Sequence, residues 1–117
     1  MFGCLARLLL ALASLVIVTP GLFAHDSWIS RGGHRNAAGE WCCGTGDCAL
    51  MDPKTVTLTS SGYSVDGWGT IEGDGRREFY YERVPEQEAQ PSPDGAFWRC
   101  KRPDGTRRCF FAPPPNT

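Results

Sequence analysis

Five cysteines crowd into the roughly 93 residues that follow an N-terminal apolar run, and no other feature restricts the fold so strongly. The run decides how those cysteines are read. Met1 to Arg7 carries one positive side chain, residues 8–18 are apolar apart from Ser14, and Thr19-Pro20-Gly21 breaks a helix before Leu22-Phe23-Ala24 ends on a small residue. This is the order of a secretory signal peptide, with cleavage expected after Ala24. An apolar segment of 11 residues is short of the roughly 20 that a membrane-crossing helix needs. A retained anchor is therefore the lesser reading, and no permanent anchor is expected after cleavage. Cys4 precedes the apolar run, which rules out a lipoprotein cysteine.

Export places the chain in the periplasm or outside the cell, where disulfides are the default state of cysteine. Cys4 leaves with the signal, and Cys42, Cys43, Cys48, Cys100 and Cys109 remain. Five is odd, so one thiol is left over to stay free, pair between chains or bind metal. A chain this short buries only about 60–65% of its unfolded surface. The apolar gain then nearly cancels against the ordering cost, and covalent staples tip the balance. Without Arg7 the chain holds 11 Lys and Arg against 13 Asp and Glu, a net charge of −2. That is not the charge of a nucleic-acid binder.

The chain divides into a signal peptide over 1–24, an irregular Cys-rich arm over 25–53, a small β domain over 54–112 and a Pro-rich tail over 113–117. Val56 and Leu58, then Tyr63 and Val65, alternate as strand residues do. Residues 77–84 are rich in aromatics, and 85–93 read as a polar loop. Asp-Gly dipeptides at 66–67, 74–75, 94–95 and 104–105 read as turns. No helical period lasts beyond two turns after the signal. The expected fold is all-β, a small antiparallel meander or partly open barrel stapled by disulfides.

The last hairpin is the best-specified element. A turn at Pro103-Asp104-Gly105-Thr106 sets Lys101 opposite Arg108, Cys100 opposite Cys109 and Trp98 opposite Phe111. That register predicts a cross-strand Cys100–Cys109 disulfide inside an apolar stripe. Cys48 then pairs with Cys42 or Cys43, and a vicinal Cys42–Cys43 bond is strained. Pro-Asp-Gly also suits a type I turn with a glycine bulge, which shifts the pairing by one and sends the cysteines to opposite faces.

Candidate chemistry is sparse. Cleavage at Ala24 gives His25 a free amine beside its imidazole, a pair that chelates Cu(II), and His34 adds a further nitrogen. This resembles the first half of the histidine brace of copper-dependent polysaccharide monooxygenases and some copper carriers. The chain is too small for such an enzyme, so copper is the one cofactor in view. The cysteine spacing matches neither zinc ribbons nor iron–sulfur runs, and there is no Cys-x-x-Cys. No nucleophile elbow, metalloprotease helix or phosphate loop is present. Arg99, Lys101, Arg107 and Arg108 crowd one hairpin and are the candidate partner-binding residues. The acidic stretch Glu82–Glu88 or an anionic ligand would offset them.

His25-Asp26-x-Trp28, Cys42-Cys43-Gly-x-x-Asp47-Cys48, Phe97-Trp98-x-Cys100 and Cys109-Phe110-Phe111-x-Pro113-Pro114 span nearly the whole exported chain. In that combination it resembles small exported bacterial proteins of unknown function, a resemblance that implies no activity. The expectation is an exported, non-enzymatic β-domain that binds a protein partner or an anionic envelope component, with copper binding through His25 as the alternative.

Overall fold

A computed structural model of the protein describes residues 27–44 and 46–114. The signal segment, His25 and the end of the Pro-rich tail lie outside the described residues.

Seven strands form one curled, half-barrel sheet. In chain order they are β1 (Cys48–Met51), β2 (Val56–Thr59), β3 (Gly62–Ile71), β4 (Arg77–Pro85), β5 (Ala89–Pro91), β6 (Trp98–Lys101) and β7 (Arg107–Ala112). β3 is the spine. Its first half pairs with β2, from Val56↔Val65 to Thr59↔Gly62. Its second half pairs with β1, from Ala49↔Ile71 to Met51↔Gly69. β4 runs along the whole of its other edge. Beyond β1 come β6, β7 and then β5, which lies parallel to β7.

This is the expected β class, but it is not a simple meander. Cys48–Met51, read from sequence as part of an irregular arm, is an interior strand between β3 and β6. The presumed polar loop after β4 holds a 3-10 turn (Glu86–Glu88) and the parallel strand β5. The Asp66-Gly67 dipeptide is also no turn, because β3 runs straight through it. Gly67 sits at φ 150°, and a Cβ there would lie 2.3 Å from Thr55 Cγ2. The glycine lets the Pro53–Thr55 3-10 turn cross close to β3 where the strand changes partner from β2 to β1. The other three Asp-Gly glycines, Gly75, Gly95 and Gly105, do sit in turns at φ near 70–90°.

Alternation along the strands gives the sheet two apolar faces. The concave face packs Met51, Val65, Ile71, Val84 and Phe110 into one core. The opposite face of β6 and β7 carries Trp98, Cys100, Cys109 and Phe111, and the N-terminal arm covers it. Phe110 and Phe111 are both fully buried, one on each face, and each contributes about 2–3 kcal/mol. The arm holds a short helix, α1 (Trp28–Gly32), where an irregular segment was expected. Ser27 caps it by accepting from the Ser30 N–H, and Gly33 ends it in the left-handed region at φ 64°. Ile29 then points into the second core.

The disulfides are Cys42–Cys109 and Cys48–Cys100, and Cys43 is free and exposed. The expected Cys100–Cys109 bond is not made, although the two residues do face each other as the hairpin register required. Cys100 has a second neighbour, Cys48, directly opposite on β1. Cys109 is then left for Cys42 in the overlying arm. Both readings of the hairpin turn hold in part. Gly105 N–H donates to Arg102 O and Arg102 N–H to Thr106 O, which is the three-residue bulged turn. A second irregularity between Cys100 and Lys101 makes Arg108 the extra residue, restores Cys100↔Cys109 and pairs Lys101 with Arg107 instead of Arg108.

Candidate functional site

The Arg108 bulge decides where the hairpin's cations go. Without it, Arg107 would share the face of Cys109. With it, Arg107 turns to the concave side together with Arg99 and Lys101. There the three meet acids of β4, a strand that is not their hydrogen-bonded neighbour. Glu82 takes both Arg99 and Arg107, Glu78 takes Lys101 at 2.6 Å, and Glu88 takes Arg107 at 2.8 Å. Arg99 is 6% exposed, with its guanidinium carbon 4.2 Å over the Tyr80 ring. Tyr80 O–H donates to Glu78, and burial followed by that bond pushes its pKa up. Lys101 and then Tyr80 hold the Glu78 carboxyl below its ordinary value. Arg99 and Lys101 thus tie the open side of the half-barrel together.

The remaining arginines gather elsewhere. Residues 34–42 fold back on themselves: Cys42 N–H donates to His34 O, Asn36 N–H to Glu40 O, and Arg35 bridges Trp41. This loop docks on β7 through Asn36 Nδ2, which donates to Arg108 O at 2.9 Å, and on β5 through Gln90 Nε2, which donates to Arg35 O. Between the loop, the stretch 87–90 and the hairpin lies a cleft of about 650 Å³. That is the size of a small-ligand pocket. Four arginines line it, Arg35, Arg102, Arg107 and Arg108, against one acid, Glu88.

Two of these arginines are ion-paired and two are not. Arg102 grips Glu40 with two nitrogens, at 2.6 and 2.9 Å, and Arg107 holds Glu82 and Glu88. The Arg102 bonds, followed by Asn36, pull the Glu40 carboxyl down to about 2. Arg35 rests 3.7 Å over the Trp41 ring and donates to Gly39 O. Arg108 donates to Trp41 O and to Cys43 Sγ, both at 3.2 Å. No described carboxylate comes within ion-pair distance of Arg35 or Arg108. Carbonyls and rings orient these two guanidinium groups and leave their charge unneutralised.

Of the candidate partner-binding residues, the structure brings Arg107 and Arg108 to the cleft and turns Arg99 and Lys101 inward. Arg35, Arg102, Asn36 and Gln90 complete the site. Arg102 belonged to the basic run; nothing in the sequence connected residues 35 and 36 with it. His25 lies outside the described residues. His34 packs edge-on against Trp28 and Phe111, 5.3 and 5.4 Å between ring centres. Among the described residues no group of three or more His, Cys, Asp and Glu could hold a metal ion.

Comparison of the chain with protein-family models, curated proteins and solved structures gave no significant match.

Proposed function

We propose that the protein is an exported, non-enzymatic β-domain that holds an anionic envelope component in its arginine cleft. One observation carries this reading: four arginines and a single acid line a cleft of ligand size, and two of those arginines have no carboxylate partner among the described residues. Guanidinium groups fixed by other contacts suit phosphate or carboxylate, because little ordering remains to be done on binding. Two disulfides in so small a domain accord with an oxidising compartment, as does the signal-like N-terminus. The whole protein is slightly acidic, so attraction depends on the local field at the cleft. The test is co-sedimentation with vesicles containing phosphatidylglycerol, beside neutral phosphatidylcholine vesicles. The reading expects binding to the anionic vesicles alone. Equal partitioning onto both contradicts it.

A further inference from the structure

We propose that the free edge of β4 is a homodimer surface, on which two copies pair antiparallel about a two-fold axis at Tyr81. β4 is hydrogen-bonded on one side only, to β3. Ile71 N–H donates to Arg76 O, and Glu86 N–H donates to Ser61 O. Both bonds fall in the β3–β4 register. The alternation of an antiparallel ladder then aims the backbone groups of even-numbered β4 residues at β3. Those of Arg77, Phe79, Tyr81 and Arg83 point to the open edge, where no described backbone group meets them.

Folded proteins blunt such edges with charge, proline or bulges. β4 has these only at its ends, in Arg77, Arg83 and Pro85. Its centre presents Phe79, 52% exposed, and Tyr81, 80% exposed. Trp68 on β3 packs against Phe79 with ring centres 5.4 Å apart and widens the aromatic surface.

Self-complementarity identifies the occupant as a second copy. With Tyr81 on the axis, it faces its own copy, Phe79 faces Arg83 of the second copy, and Arg77 faces Pro85. A guanidinium opposite an aromatic ring is favourable, and no like charges oppose each other on either face. On the concave side Tyr80 faces Glu82 and Glu78 faces Val84. A slide of two residues one way sets Arg77 against Arg83 and Glu78 against Glu82. The same slide the other way sets Glu82 against Glu82. Odd slides exchange the two faces of the strand. One two-fold register therefore satisfies the strand, as an isologous interface requires. None of these residues lines the arginine cleft, so the inference stands apart from the proposed function.

The experiment uses Cys43→Ser in every protein, which excludes disulfide-linked dimers. Sedimentation velocity is followed from about 1 μM to about 1 mM. The parent should dimerise reversibly with concentration. Tyr81→Lys and Tyr81→Glu should each remain monomeric, with unchanged thermal melts because the side chain is exposed. An equimolar mixture of the two should dimerise again, since only a residue on the two-fold axis meets its own copy. A parent that stays monomeric at the highest concentration would overturn the proposal. So would a Tyr81→Lys protein that dimerises as its parent does, or a mixture that stays monomeric.

Discussion

The indole N–H of Trp28, on α1, donates to Oδ2 of Asp94 at 2.9 Å, across 66 residues of chain. Trp98 N–H donates to the same oxygen at 2.9 Å, and Ser92 and Ala96 occupy Oδ1. Burial alone would raise the Asp94 carboxyl; these donors lower it. Asp94 therefore pins the arm to the strand it covers. Charge-assisted bonds of this kind contribute about 1–2 kcal/mol when partly exposed. Asp94→Ala should lower stability by about that much and speed amide exchange over 27–44 before the sheet opens. Uniform exchange across arm and sheet would show that the two unfold together.

The disulfide map is a second expectation. Non-reducing peptide mapping of the exported protein should recover Cys42 linked to Cys109, Cys48 linked to Cys100, and Cys43 open to alkylation. The bridges span 67 and 52 residues, and on the chain-entropy account each contributes about 4 kcal/mol. Cys109→Ser should cost about that amount by denaturant melt, because it frees the arm as well as the loop. A Cys100–Cys109 peptide would contradict the sheet order, since Cys100 would then not be bonded to β1.

What the sequence made legible was local. Alternation identified β2, β3 and β7, and three of four Asp-Gly pairs were turns. The Trp98–Cys100–Cys109–Phe111 stripe correctly predicted which residues of β6 and β7 face each other. What it concealed was long-range. Ala-Leu-Met after Cys48 has no strand signature of its own, and it becomes a strand because β3 and β6 flank it. Once β1 lies there, Cys100 has two candidate partners, and a hairpin considered alone offers one. Gly67 shows the same limit: its glycine answers to Thr55, a neighbour in space from another element. The arginine cleft was half visible. The basic run marked one wall, and the wall built by residues 35–38 depends on the fold.

Glu82 should be the most sensitive acid. It neutralises Arg99 and Arg107 together, and the Arg99 side chain is 7% exposed. Removing one member of a buried ion pair leaves uncompensated charge and costs about 3–5 kcal/mol. Glu82→Gln should destabilise by about 3 kcal/mol in urea melts, whereas Glu86→Gln, on the exposed turn, should change little. Equal melts for the two would mean that the ion-paired wall does not hold the half-barrel closed.

The ion pairs also set an acid limit. Glu40 is held at about 2 against an ordinary 4.5, and Glu78 is shifted the same way. A depressed carboxyl stabilises the fold fully above its unfolded value, and that stability is lost as pH falls toward the folded value. The melting temperature should therefore hold steady down to the ordinary value of 4.5 and fall from there toward about 2. Glu40→Gln should make that decline shallower. A variant whose melting curve against pH parallels the parent would remove Glu40 from the account.

The arginine cleft itself is tested most directly by titrating phosphatidylglycerol vesicles into the parent and into Arg35→Gln/Arg108→Gln. These are the two cleft arginines without a described carboxylate partner, so their loss should leave the thermal melt nearly unchanged. The account predicts that the parent binds and weakens as salt rises. It predicts at least about a tenfold loss of affinity in the double variant, as expected for about 1.4 kcal/mol or more of lost charge-assisted contact. Salt-independent binding, or equal affinity in parent and variant, would contradict the claim that this cleft holds an anion.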